Sequence, residues 1–161
     1  DVLEIRSGGW EVAALVLDFL GGGWFAIFVV PIGVAIVFLL IRRPWAALTF
    51  IVGSAASSAL VQLLKGLFGR ARPEEILLPL DSGAFPSGHT ANAATIAVLL
   101  ALLLHRAWIL IPGVVYVILM ALSRTYLGAH WVTDTVGGLL IGTGMAVLAW
   151  AVFGRRIRDE R

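Results

Sequence analysis

The sequence predicts an all-α, polytopic membrane protein, a bundle of transmembrane helices forming one domain. Three observations predict it. Of its 161 residues 60% are hydrophobic and only 14% charged, with a mean hydropathy of +0.96; a soluble domain has about 45–50% apolar and about 25% charged residues. The charges gather at the borders of five long apolar stretches. Each stretch comes close to the roughly 20 residues that a helix needs to cross a hydrocarbon core of about 30 Å. In lipid every backbone amide must be bonded within the chain, so the stretches read as helices.

Trp10–Leu20 is too short to span. Its Glu11 and Asp18 lie seven residues apart, so they share a helical face, and the rest is apolar. That pattern suits a helix lying in the membrane interface. The spans follow at about 24–41, 45–64, 87–104, 107–127 and 134–153. Pro31 and Pro112 fall inside spans, which neighbouring helices tolerate. Small residues over 53–58 and 137–144 suit close helix approach. The one long polar loop is 73–86.

Basic residues set the expected orientation. Arg42, Arg43, Arg106 and the tail Arg155, Arg156, Arg158 and Arg161 share one side, which the positive-inside rule makes cytoplasmic, along with the C-terminus. Lys65, Arg70, Arg72, His89, Arg124, His130 and Asp134 fall on the other, outer side. Trp24 and Trp131 mark the outer boundary, and Trp45, Trp108 and Trp150 the inner one. Five spans put the N-terminus outside; a helix upstream of Asp1 would bring it inside.

Several classes are excluded. Without cysteine there is no disulfide framework or thiolate metal site. A net charge of +2, with no basic run interleaved with aromatics, does not suit nucleic acid. No basic n-region precedes an apolar h-region, so no signal peptide is read.

The chemistry collects at the outer ends of three spans. Lys65 and Arg72 leave the second, Ser87, Gly88 and His89 open the third, Arg124 closes the fourth, and His130 and Asp134 open the fifth. A single such cation would be a snorkelling anchor. Three cations, two histidines and a carboxylate at one level make a functional site. A phosphate ester suits this set, because its transition state spreads charge over equatorial oxygens that need positioned cations. Arginine matches phosphate bidentately. Pro86-Ser87-Gly88-His89 starts a helix, where exposed amides and the dipole hold an anion, although Ser87 also fits a plain N-cap. His130 and Asp134 share a helical face. A carboxylate on one ring nitrogen leaves the other as a nucleophile; the plain alternative is an i,i+4 pair. His89 remains as a general acid. His105, at the inner end beside Arg106, reads as an interfacial anchor.

Three motifs carry a resemblance. Lys65 to Pro73 fits K-x6-R-P, residues 86–89 fit P-S-G-H, and Ser123 to Asp134 fits S-R-x5-H-x3-D. Complete and in order, they resemble the type 2 phosphatidic acid phosphatase superfamily, whose members include vanadium haloperoxidases and bacterial acid phosphatases. The resemblance implies a catalytic set in which His130 forms a phosphohistidine, Asp134 orients it, and His89 protonates the leaving group and later activates water. It implies that Lys65, Arg72, Ser87, Gly88 and Arg124 hold the phosphoryl oxygens, with no metal and no cofactor. The membrane branch usually has six spans; the first is expected to lie outside this sequence.

The implied activity is hydrolysis of a lipid phosphate, either phosphatidate, phosphatidylglycerol phosphate or an isoprenyl phosphate or diphosphate. A phosphotransferase with a lipid or sugar acceptor is the alternative from the same intermediate, and a non-catalytic lipid-phosphate binder is the third reading. Partners are thus membrane lipids, not nucleic acid.

Overall fold

The computed structural model describes residues 8–74 and 83–160. The middle of the expected loop and Arg161 lie outside the described residues. Among those described there are six α-helices and no strand. They are α1 (Gly8–Gly21), α2 (Val30–Leu40), α3 (Pro44–Phe68), α4 (Gly88–Leu104), α5 (Leu110–Tyr126) and α6 (Val132–Arg158).

The helix ends follow from local chemistry. A π-turn, Phe25–Val29, leads into α2, and Pro31 falls in that helix's first turn, where a missing N–H costs nothing. A 3-10 turn, Ala107–Ile109, likewise precedes α5, with Pro112 in the first turn. α3 runs four residues beyond the expected Leu64, because Lys65 is buried inside the helix, and Gly69 ends it in the left-handed conformation (φ 51°). α6 runs on past Phe153 through Arg155, Arg156 and Arg158, cations that suit a helix C-terminus.

Among the described residues three stretches are each long and apolar enough to cross a membrane: α3, Ala107–Tyr126 and α6. Gly9–Gly21 and Phe25–Leu40, bent by 46° at the break between them, make a fourth if counted as one span. α4, with 17 residues, is shorter but is the centre of the bundle. It packs against α3, α5 and α6, and ten of its residues are buried. Its alanines allow that enclosure: Ala91, Ala93, Ala94, Ala97 and Ala101 are all buried. The outward faces are apolar instead. Ile36 and Leu40 on α2, Ile111 and Leu122 on α5, and Leu140 and Val152 on α6 are exposed, as expected where lipid is the solvent. The chain is therefore an integral membrane protein, built apolar outside and small inside.

Two polar junctions tie the bundle together. Thr95 Oγ1 lies 2.8 Å from the Ala91 carbonyl, 2.9 Å from Ser57 Oγ and 3.2 Å from the Gly142 carbonyl, joining α4, α3 and α6. A second junction joins the segment before α4 to α6: the Ser87 N–H donates to the Asp134 carbonyl at 2.9 Å.

Candidate active site

The site forms where the ends of α3, α4, α5 and α6 meet the glycine break after α1. Lys65, Arg72, Gly88, His89, Arg124 and His130 line one cavity of about 160 Å³. That is far above the ~10–15 Å³ one water needs. Gly21, Gly22 and Gly23 close it from the α1 side.

His130 sits just before α6 and is buried. Its Nδ1 is 2.6 Å from the Ala84 carbonyl. A carbonyl can only accept, so Nδ1 carries the proton and Nε2 the lone pair. Burial, then the charges of Lys65, Arg72 and Arg124, hold its pKa far below the usual histidine range. The ring is therefore neutral, with Nε2 unprotonated. Asp134 Oδ2 stands 3.7 Å from Nδ1, beyond hydrogen-bond reach. The acceptor expected at Nδ1 was the Asp134 carboxylate; in the structure it is the Ala84 carbonyl, and Asp134 stands beside the ring without a hydrogen bond to it. Asp134 itself accepts from Arg70 Nη1 at 2.7 Å and from the Trp131 N–H at 2.8 Å. It therefore also caps α6, and Arg70, without a role in the sequence reading, is its counter-ion.

The cations are held in place by carbonyls. Lys65 Nζ donates to the Gly83 carbonyl at 2.6 Å, and Arg72 Nη1 to the Ala129 carbonyl at 2.6 Å. Burial outweighs the other influences on Arg72 and lowers its pKa, with Arg124 adding to the shift. Arg124 is fully buried. Its Nη1 donates to Asp18 Oδ1, while its Nε and Nη2 are buried with no partner among the described residues. An unpaired buried guanidinium edge is costly unless an anion completes it.

His89, at the start of α4, has Nε2 3.0 Å from Asp18 Oδ1 and 3.2 Å from the Asp18 carbonyl. Two predicted residues lie off the cavity wall. Asp134 is one. Ser87 is the other: it is buried, its Oγ accepts from the Thr90 N–H at 3.4 Å, and its N–H is spent on Asp134. Ser87 therefore serves as the helix cap. Sequence spacing missed Asp18 and Arg70, and also the 83–84 carbonyls that hold Lys65 and His130.

The pattern of the PAP2 superfamily matches residues 46–158 of this chain. The chain belongs to the PAP2 superfamily. Among similar proteins are phosphatidylglycerophosphatase B of Bacillus subtilis, 33% identical over 137 residues, covering 78% of this PAP2 chain and 66% of that protein. Undecaprenyl-diphosphatase of Sulfolobus acidocaldarius is 31% identical over 103 residues, covering 63% of the chain and 48% of that protein. Decaprenylphosphoryl-5-phosphoribose phosphatase of Mycobacterium tuberculosis is 36% identical over 125 residues, covering 74% and 67%. The match thus spans about half to two thirds of these relatives' lengths. The crystal structure of the transmembrane PAP2-type phosphatidylglycerolphosphate phosphatase from Bacillus subtilis aligns with a TM-score of 0.85 at 27% identity, covering 96% of this chain and 81% of that one. That of Aquifex aeolicus LpxE aligns at 0.77 with 29% identity, covering 93% and 90%. The PAP2 fold and its membrane branch are therefore common ground, and the cavity above lies at the three motifs of this chain.

Proposed function

We propose that this PAP2 protein is a metal-independent lipid phosphate phosphatase that works through a phosphohistidine on His130. The observation that carries the reading is the Arg124 guanidinium, fully buried at the cavity wall with Nε and Nη2 unpartnered, facing a site that also holds two histidines, Lys65 and Arg72. A phosphoryl group completes that arrangement. Binding alone would need the cations but no neutral, buried imidazole.

The chemistry runs in two steps. The Nε2 lone pair of His130 attacks phosphorus, and the bond to the lipid oxygen breaks. That oxygen takes a proton from His89. Water then attacks the phosphorus as His89 takes its proton, the P–N bond breaks, and phosphate leaves. Lys65, Arg72 and Arg124 offset the charge on the equatorial oxygens throughout.

The substrate is a lipid carrying a phosphomonoester or diphosphate: phosphatidylglycerol phosphate or an isoprenyl diphosphate, of the kind two relatives' names describe, or an isoprenyl phosphate or phosphatidate. The cavity accepts the headgroup and leaves the tail in the bilayer. The exposed arginines of the opposite end support, by the positive-inside rule, a cytoplasmic position for that end and the C-terminus, with the site outside. Because the chain has no cysteine, an Asp159→Cys variant tests this. Labelling by an impermeant maleimide in intact cells would reverse the orientation.

The deciding experiment is phosphate release in detergent with EDTA present, from those four substrates, with His130→Ala alongside. Release from at least one, lost in the variant, supports the reading. Release that requires an added divalent ion, or survives in His130→Ala, removes it. Phosphate appearing on an added lipid or sugar acceptor instead of in water would make the protein a transferase.

A further inference from the structure

We propose that Asp18 is the positioning residue of the acid–base histidine, so that the site contains a second carboxylate–histidine pair; this rests on the phosphatase reading above. Two Asp18 oxygens converge on one His89 nitrogen: Oδ1 at 3.0 Å and the backbone carbonyl at 3.2 Å from Nε2. An ionised carboxylate and a carbonyl can only accept, so Nε2 carries a proton in either charge state of the ring. Proton exchange with the reaction then falls to Nδ1.

The contact is built rather than incidental. Asp18 lies 71 residues from His89, on a helix whose neighbouring Leu17, Phe19 and Leu20 are apolar. The glycines that follow let α1 come this close. A Cβ on Gly22 would lie 2.0 Å from His89 Nε2, and one on Gly21 would lie 2.2 Å from Met120 Cε. Asp18 Oδ1 also accepts from Arg124. Service as a counter-ion to Arg124 would account for that bond alone. The paired contact on His89 needs another reason, and acid–base work supplies one.

The proton balance is direct. To protonate the leaving oxygen, His89 must start as an imidazolium. The Asp18 carboxylate stabilises that cation and holds its Nε2–H, so the proton given up is the one on Nδ1. The neutral ring then has its lone pair on Nδ1 and takes the proton of the attacking water there. Asp18 keeps its charge in both steps.

A leaving-group comparison tests this, because it separates acid catalysis from structural support. Asp18→Asn should lower kcat/KM for a lipid phosphate by about 10²–10³, within the usual range of general acid catalysis. For p-nitrophenyl phosphate, whose leaving group departs unprotonated, the loss should stay under about tenfold. Asp18→Glu should recover part of the lipid activity. Equal losses on both substrates, or no loss on the lipid, would overturn the proposal. Nitrogen-15 NMR of labelled histidine in detergent gives a readout without turnover. His89 should hold its Nε2–H in wild type, and the shift of that N–H should move in Asp18→Asn, which keeps the backbone acceptor and replaces the charged one with a neutral amide. An unchanged signal would overturn the pairing. A wild type inactive on both substrates would count against the phosphatase reading, and the NMR result would still decide Asp18.

Discussion

The two ends of this bundle use the same residue types and treat them oppositely. At the site end Arg124, Lys65 and His130 are buried and tied to carbonyls or to Asp18. At the other end Arg42, His105, Arg106, Arg155 and Arg156 are exposed. There, Arg43 donates to the Leu103 carbonyl at 2.8 Å, and Glu160 accepts from the backbone N–H groups that open α3. One end spends its charges on fastening helices; the other holds them in reserve around a void. Burial distinguishes the two, because an enclosed charge strengthens every interaction it makes and is costly until an anion arrives.

The largest contrast sets histidine against histidine. His130→Gln should cut phosphate release by more than about 10³, since the nucleophile is gone, whereas His105→Gln should leave it within about twofold. Comparable losses in both would erase the distinction between the ends. Next comes Arg124→Lys, which keeps the charge but removes the fork. A loss of about 10–100-fold in kcat/KM is expected, the scale of one or two charged hydrogen bonds. The equivalent Arg106→Lys should change nothing measurable in the same assay.

A smaller effect is expected at Gly22. Its Cβ would collide with His89, so Gly22→Ala must shift the ring or α1. A fall of about tenfold or more in kcat, with the melting temperature nearly unchanged, is expected, because small displacements of a reacting group are costly. Gly144, which has open space around it, is the matched control.

The smallest effect is on stability against pH. The folded state holds the His130 pKa well below the ordinary value of about 6.5. Below that ordinary value the unfolded chain takes up a proton that the folded one refuses. The folded state therefore loses stability as pH falls beneath about 6.5, by at most about 1.4 kcal/mol per unit. Thermal melts in detergent should show that acid slope, and His130→Gln should flatten it. An unchanged slope would mean that His130 titrates alike folded and unfolded.

Much of this was legible from spacing. Lys65, Arg72, His89, Arg124 and His130 fall at the ends of apolar stretches, and a membrane forces those ends to one level. The shared cavity was therefore readable before any coordinates. Asp18 and Arg70 were not, for different reasons. Asp18 looks like the polar stripe of a surface helix, and nothing in the chain shows that the glycines after it fold it back onto His89. Arg70 is one more cation near a boundary, and only the geometry shows its Nη1 on Asp134. Ser87 shows the converse. Its position suited a phosphate contact and a helix cap equally well, and its bond to Thr90 supports the cap. Helix ends were misjudged where a charge looked like a stop, as at Lys65, because a lysine whose ammonium finds the Gly83 carbonyl can be buried within the helix.

The seam between α4 and α6 has a consequence for how such a protein diversifies. A Cβ on Gly142 would lie 2.1 Å from the Ala91 carbonyl, and one on Gly138 would lie 2.4 Å from the Ser87 carbonyl. The two backbones are in direct contact along the stretch that carries His89 on one side and follows His130 on the other. The spacing between His89 and His130, the proposed donor and attacker, is thereby locked at the level of main chain, indifferent to most side-chain drift. Variation in headgroup preference must therefore accumulate elsewhere, on the side of the cavity formed by the end of α1, the 25–29 turn and α3. A library randomised there should yield altered headgroup preference with the reaction intact, while one randomised along the seam should yield mostly dead protein.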